Sequence, residues 1–311
     1  MNRLTENKIV LITRATRLEE LVARFNTLGQ AKFYVESRGA DFAEYEIEHN
    51  KYKSALAETE KQLLALGRVQ IVDRGFIPNF VFGPDDTVVV IGQDGLVVNT
   101  LKYLKEQAVI GVNPDPERWD GILLPFRAQD VTRIVVEVFA RKRKYKEITM
   151  AKAALNNGQA IFGVNDLFIG PKSHTSIRYQ IEIGAAVEQH SSSGIIVSTG
   201  LGSTGWFKSI VAGAMGIGKV ISKSFNPDIP KNFAWDAKYL YYTVREPFPS
   251  KTSMATIVFG KITEKEPMKL ISKMPENGVI FSDGIEADYL DFNSGTQAVI
   301  GIAEKKGLLV V

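Results

Sequence analysis

The sequence predicts an α/β plus β-rich chain, with a parallel α/β domain first and a β-rich domain after it. Three observations carry this prediction. The chain has 311 residues, a length at which single hydrophobic cores begin to divide. Residues 86–112 read as buried strand, glycine turn, helix and strand, the order of a parallel layer. After Tyr145 the texture changes to short apolar runs punctuated by glycine, proline, asparagine and serine. The spacing assigns 1–144 to the α/β domain and 145–294 to the β-rich domain. Residues 295–311 form a C-terminal segment available to return to the first domain.

The elements follow in order. Ile9 to Ile12 is a short β-branched run, and Leu18 to Leu28 has helical apolar spacing that ends at Gly29. Ala40 to Leu66 is charged, with Phe42, Tyr45, Tyr52, Leu56 and Leu63 near one face, and reads as a long amphipathic helix packed on a domain flank or another subunit. Gln70 to Val72 is a short strand, and Asp86 to Ile91 a buried one running into Gly92-Gln93-Asp94-Gly95. A helix then carries Leu96, Val97, Leu101 and Leu104, and Ala108 to Val112 is the next strand. Val131 to Ala140 is a helix ending in the basic run 141–144, where positive charge favours a helix C-terminus. In the second domain the strand candidates are Glu147 to Ala151, Ala160 to Val164, Tyr179 to Ile183, Gly194 to Ser198, Tyr239 to Val244, Ala255 to Phe259 and Val279 to Phe281. Ala298 to Ile302 and Gly307 to Val311 close the chain as two further strands.

Composition narrows the chemistry. There is no cysteine, and the three histidines, His49, His174 and His190, are scattered, which removes disulfides, thiol nucleophiles and the usual zinc frameworks. A net charge of +3 is too mild to argue for nucleic acid and suits an anionic small substrate equally well. No apolar stretch reaches the roughly 18 residues of a membrane span, and no secretion signal is visible at the start. The expectation is a cytoplasmic protein with no membrane and no nucleic-acid partner.

Two fingerprints are decoys. Gly200 to Gly205 spells G-x-G-x-x-G, but the acidic residue that a dinucleotide loop needs about twenty residues on would be Asp228, inside the loop Asn226-Pro227-Asp228-Ile229-Pro230. Gly213 to Lys219 approximates a phosphate loop, yet Val220 stands where a Ser or Thr hydroxyl would hold magnesium. The informative set is Gly92-Gln93-Asp94-Gly95 after one buried strand, Asn165-Asp166 after another, and Ser198 to Thr204 followed by Trp206. Taken singly, Asp94 and Asn165-Asp166 read as turns and Trp206 as core. Asp283-Gly284 also reads as a turn, and Arg178 and Arg245 suit either a phosphate or a nearby acid.

In this order the set resembles the NAD kinase family, whose hallmarks are Gly-Gly-Asp-Gly-Thr, an Asn-Glu or Asn-Asp pair, and Thr-Pro-Thr-Gly-Ser-Thr-Ala-Tyr. Gly111 to Arg118, Phe168-Ile169-Gly170 and Val244 to Pro247 resemble its divergent, mitochondrial-type branch, as do Thr199-Gly200 and Trp206. The resemblance runs from about residue 85 to Asp283-Gly284 and does not cover the helix over 40–66. It implies an α/β domain joined to a β-sandwich-like domain, as in NAD kinases and diacylglycerol kinases, in a homodimer or homotetramer. It also implies transfer of a phosphoryl group from ATP, or polyphosphate, with Mg²⁺, to the adenosine 2′-hydroxyl of NAD.

On that resemblance Asp94 is the general base, Gly92 and Gly95 let backbone approach phosphate at a helix start, and Asn165 and Asp166 hold sugar and base edges. Thr199, Ser203 and Thr204 line the dinucleotide pocket, and Trp206 offers a flat face to a ring. The sequence identifies no magnesium ligands. It departs from the family at Gln93, in place of the second glycine, and at Leu96, in place of the threonine. If position 93 required positive φ, Gln93 would cost about 1–2 kcal/mol. Loss of the hydroxyl bond to phosphate would cost about 1.5–3 kcal/mol. The alternatives are an NAD-binding protein that has lost catalysis, and a lipid or sugar kinase of the related superfamily.

Overall fold

The structure is a computed structural model that describes residues 4–311 except 223, 225, 226, 228, 229 and 231. Asn226, Asp228 and Ile229 of the loop read above therefore lie outside the described residues. The chain divides into two compact units, Met1–Lys146 with Leu308–Val311, and Glu147–Gly307.

Unit 1 opens with β1 (Lys8–Thr13), whose last five residues are buried. Thr16 and Glu19 then form a reciprocal capping box that starts α1 (Arg17–Phe25). That helix stops earlier than its apolar spacing predicts. Asn26 takes a left-handed conformation at φ 65°, a role asparagine tolerates, and Thr27 caps a second helix, α2 (Leu28–Glu36). Gly29 thus lies inside α2 and terminates nothing. The long helix α3 (Ala43–Leu66) buries Tyr52, Leu63 and Leu66. It is followed by β2 (Arg68–Asp73), β3 (Thr87–Ile91), α4 (Asp94–Leu101), β4 (Ala108–Asn113), the short β5 (Phe126–Arg127) and α5 (Val131–Phe139).

The strands form a parallel sheet in the order β2, β1, β3, β4, with β5 on β4. Leu308 and Leu309 pair in parallel with Ala108 and Val109. β-branched residues such as Val88 to Ile91 are fully buried because helices cover the sheet. One face packs Ile9, Leu11, Val89 and Ile110 against α3 and α5.

Unit 2 is a sandwich of two antiparallel sheets. The first contains β6 (Tyr145–Leu155), β7 (Ala160–Gly163), β9 (Ile177–Ile183), β10 (Ala186–Ser192), β14 (Met268–Ser272) and β17 (Gln297–Val310). The second contains β8 (Asp166–Pro171), β11 (Gly194–Ser198), β12 (Tyr239–Arg245), β13 (Phe259–Thr263), β15 (Gly278–Ser282) and β16 (Ile285–Asp291). Alternate residues of both sheets, including Tyr179, Ile181, Leu270, Ile169, Ile195 and Leu240, meet in one core.

Five strands, β5, β8, β10, β14 and β16, escape the sequence reading. The run Ala255 to Phe259 gives way to β13 four residues later, because Tyr239 of β12 pairs with Thr263. The two closing strands are one, β17. α6 (Trp206–Ile221) absorbs Gly213 to Lys219 into helix, which disposes of the phosphate-loop match.

Candidate functional site

In unit 1 the buried strand β3 ends at Gly92, and α4 begins two residues later. Asp94 occupies the first turn of α4, half-exposed, and its Oδ1 accepts the Leu123 N–H at 2.9 Å. Its second oxygen makes no hydrogen bond or ion pair with a described residue. The first turn of a helix leaves its amides for an anionic partner. Gln93 sits at φ −119°, ordinary extended backbone, so the strain anticipated for a non-glycine residue is absent.

A Cβ on Gly92 would lie 2.9 Å from Leu96 Cδ2, so Leu96 is packed over this glycine. Gly95 meets nothing within 4 Å, and the chain's own packing does not require glycine there.

Sequence reasoning missed Arg14. It follows β1 directly, and its Cδ and Nε lie 3.7 Å from the place a Gly92 Cβ would take. α3 holds it: Arg14 Nη2 binds Glu48 at 2.6 Å, its guanidinium lies 4.9 Å from the Tyr52 ring centroid, and its amide donates to the Tyr52 hydroxyl at 3.0 Å. The uncharted helix therefore brings a buried carboxylate to the end of β1. The signal available was a lone arginine after a buried strand, which by itself names no partner.

Sheet register assembles the second cluster, in unit 2. β8 runs antiparallel to both β11 and β15, so its first residue, Asp166, pairs with Ser198, and Leu167 pairs with Ser282. The turns holding Asn165, Thr199 and Asp283 consequently converge. Thr199 donates its hydroxyl to Val164 O at 2.6 Å, and its amide donates to Asn165 O at 2.9 Å. A Cβ on Gly202 would fall 2.0 Å from Asn165 O, and one on Gly200 1.8 Å from Ala234 O. These two glycines are needed for the approach of backbone to backbone.

Asp283, read from the sequence as a turn, is the hub. Its Oδ1 accepts the amides of Val164, Asn165 and Asp166 at 3.0, 2.6 and 3.3 Å. Asp166 is buried, and that burial, with the Asp283 charge second, pushes its carboxyl up to about 7. Asn165 is half-exposed, and its side-chain amide binds no described residue.

Thr199 and Ser203 are fully buried with their hydroxyls donated to backbone, Ser203 to Gly200 O at 2.7 Å, whereas Thr204 is exposed. Trp206 stacks on Phe168 with centroids 5.7 Å apart and planes 13° from parallel. Arg245 lies 5.6 Å from the Trp206 centroid. Phe168, Trp206, Arg245, Phe281 and Tyr289 line a cavity of about 300 Å³ that can take a planar ring between aromatic and cationic walls.

No protein-family model matches the sequence, and no curated protein matches it. Solved structures do. An NAD kinase from Archaeoglobus fulgidus in complex with ATP superposes with a TM-score of 0.53 at 14% identity, covering 98% of this chain and 93% of that one. Yeast NADH kinase complexed with NADH superposes with a TM-score of 0.56 at 13% identity, covering 99% of this chain and 84% of that one. The chain has the fold of these kinases.

Proposed function

We propose that this chain is an NAD kinase-like phosphotransferase that moves a phosphoryl group from ATP, or polyphosphate, to the adenosine 2′-hydroxyl of NAD, giving NADP. The observation that carries the reading is Asp94: a carboxylate at the start of α4, held at one oxygen by the Leu123 amide and free at the other. The free oxygen takes the hydroxyl proton as the bond from the 2′-oxygen to the γ-phosphorus forms and the bond to the leaving β-phosphate oxygen breaks. The amides that open α4, beside Gly92 and Gly95, suit the donor's phosphates. Asn165 and Asp166 suit the acceptor's hydroxyl and base edges, and the cavity at Trp206 and Arg245 suits one of its rings.

Among the described residues no three acidic or histidine side chains gather around a cation site. Mg²⁺ in such enzymes takes at most one or two protein carboxylates beside substrate phosphates, so the ion would be held chiefly by the donor's phosphates while the free oxygen of Asp94 is kept for the proton. When bound, the ion would neutralise phosphate charge. The homodimer or homotetramer implied by the family resemblance is proposed with the function, and sedimentation of the purified chain tests it.

Leu96 packed over Gly92 favours a second reading, a dinucleotide-binding protein without turnover. An end-point NADP assay with NAD, Mg²⁺ and either ATP or polyphosphate, run beside Asp94→Asn, separates the two. NADP from the wild type alone supports the kinase. Thermal stabilisation by NAD without NADP supports the binding protein, and failure of NAD to bind revives a lipid or sugar kinase.

A further inference from the structure

A second cavity of unit 2, about 660 Å³, belongs to no feature of the proposed reaction. It opens on the outer face of the first sheet. Ile177, Tyr179 and Ile181 of β9 point into the sandwich core, so Arg178 and Gln180 face outward. Arg178 pairs with Ser191 of β10, and Gln180 with Gln189. The segment after Arg245 folds along β10, with Phe248 N–H donating to Ser191 O and Met254 N–H to Gln189 O, both at 2.8 Å, and forms the opposite wall. Lys273 N–H donates to Arg178 O at 2.9 Å, so two cationic side chains leave the backbone side by side.

Three features of this cavity specify a ligand. Arg178 and Lys273 both line it, no carboxylate does, and neither cation has an ion pair with a described residue. Ser176 and Ser191 add hydroxyls. The third feature is an unsatisfied acceptor. Gln180 Nε2 donates to Glu182 at 2.6 Å and Gln189 Nε2 donates to Gln180 Oε1 at 2.7 Å. This relay leaves Gln189 Oε1 buried and without a hydrogen bond, a condition that costs free energy until a donor arrives. Phe248, 63% exposed, stands at the rim.

We infer that this cavity is a second ligand site, for a small phosphorylated sugar whose phosphate lies on Arg178 and Lys273 and whose hydroxyl donates to Gln189 Oε1. Its volume is within the usual range for such ligands. The anion supplies the counter-charge, and the hydroxyl completes the glutamine relay.

Calorimetry of the full chain at low salt with ribose 5-phosphate, inorganic phosphate and ribose tests this inference. Ribose 5-phosphate is expected to bind once per chain and at least tenfold more tightly than inorganic phosphate. The double variant Arg178→Gln, Lys273→Gln, at two exposed positions, loses at least tenfold in affinity. Gln189→Leu reduces ribose 5-phosphate to the affinity of inorganic phosphate and leaves the latter unchanged. Trp206→Ala binds as the wild type does, which separates this site from the cavity of the proposed reaction. No binding, equal binding of the two phosphates, binding indifferent to the double variant, or loss with Trp206→Ala would each overturn the inference.

Discussion

The carboxylate of Asp283 accepts the backbone amide of Asn165 at 2.6 Å, across 118 positions of sequence. It does so from a left-handed backbone at φ 56° and also takes the amides of Val164 and Asp166. Asp283→Ala leaves buried amides without an acceptor and places alanine in a strained region. The expected cost is about 2–4 kcal/mol by urea denaturation. Asp283→Asn, which keeps one acceptor and tolerates positive φ, costs less than half as much.

Asp94→Asn isolates chemistry from folding. The asparagine oxygen can still accept the Leu123 N–H, so the melting temperature stays within about 2 °C of wild type, as expected for a change of under ~0.5 kcal/mol. NADP formation falls by about 10²- to 10⁴-fold. Turnover kinetics and a thermal melt on the same preparation check both halves.

Leu96→Thr supplies the hydroxyl that this chain lacks and opens the contact over Gly92. Its stability falls by about 1–3 kcal/mol, because a buried leucine is truncated. Turnover with ATP rises by about ten- to hundredfold if that hydroxyl binds the reacting phosphate. Gln93→Gly brings no such gain. Its backbone at φ −119° needs no glycine, and the added chain entropy costs about 0.5–1 kcal/mol.

Asp166 makes stability depend on pH. Its folded carboxyl titrates at about 7, while an unfolded aspartate titrates near ~3.9. The folded state therefore binds the extra proton, and stability declines as pH rises from about 4 to about 7, then levels off. Asp166→Asn has no such decline. Its advantage over wild type grows from near zero at pH 4 to at most about 4 kcal/mol at pH 8, read from denaturation midpoints at both pH values.

Much of the parallel sheet is legible because its strands are buried on both faces and read as continuous β-branched runs, as at Ile9 to Ile12 and Val88 to Ile91. β10 is the opposite case. Its inward positions include Glu188 and His190, bonded to each other at 2.7 Å, so no apolar alternation marks it. The same contrast holds in the candidate site. By its own strand and glycine turn Asp94 reads as a turn; it is legible as a candidate only through its place in an ordered set with Asn165-Asp166 and Ser198 to Thr204. The role of Asp283 is not, because its partners lie more than a hundred residues away, and a local reading of Asp-Gly ends at a turn. Gly200 and Gly202 are visible as a motif, but their reason, contact with the backbone of Ala234 and Asn165, exists only in the folded chain.

The pairing of Leu308 and Leu309 with β4 sets when the first unit can be completed during synthesis. Residues 1–146 leave the ribosome first, yet their unit also contains 308–311, and residues 147–307 intervene. At about 5–20 residues per second, that interval lasts roughly ten to thirty seconds. Throughout it this edge of β4 is a nascent-chain surface awaiting Leu308 and Leu309. A chain cut back to Gly307 would therefore leave that edge of β4 unpaired, and its protease sensitivity should rise first in residues 1–146.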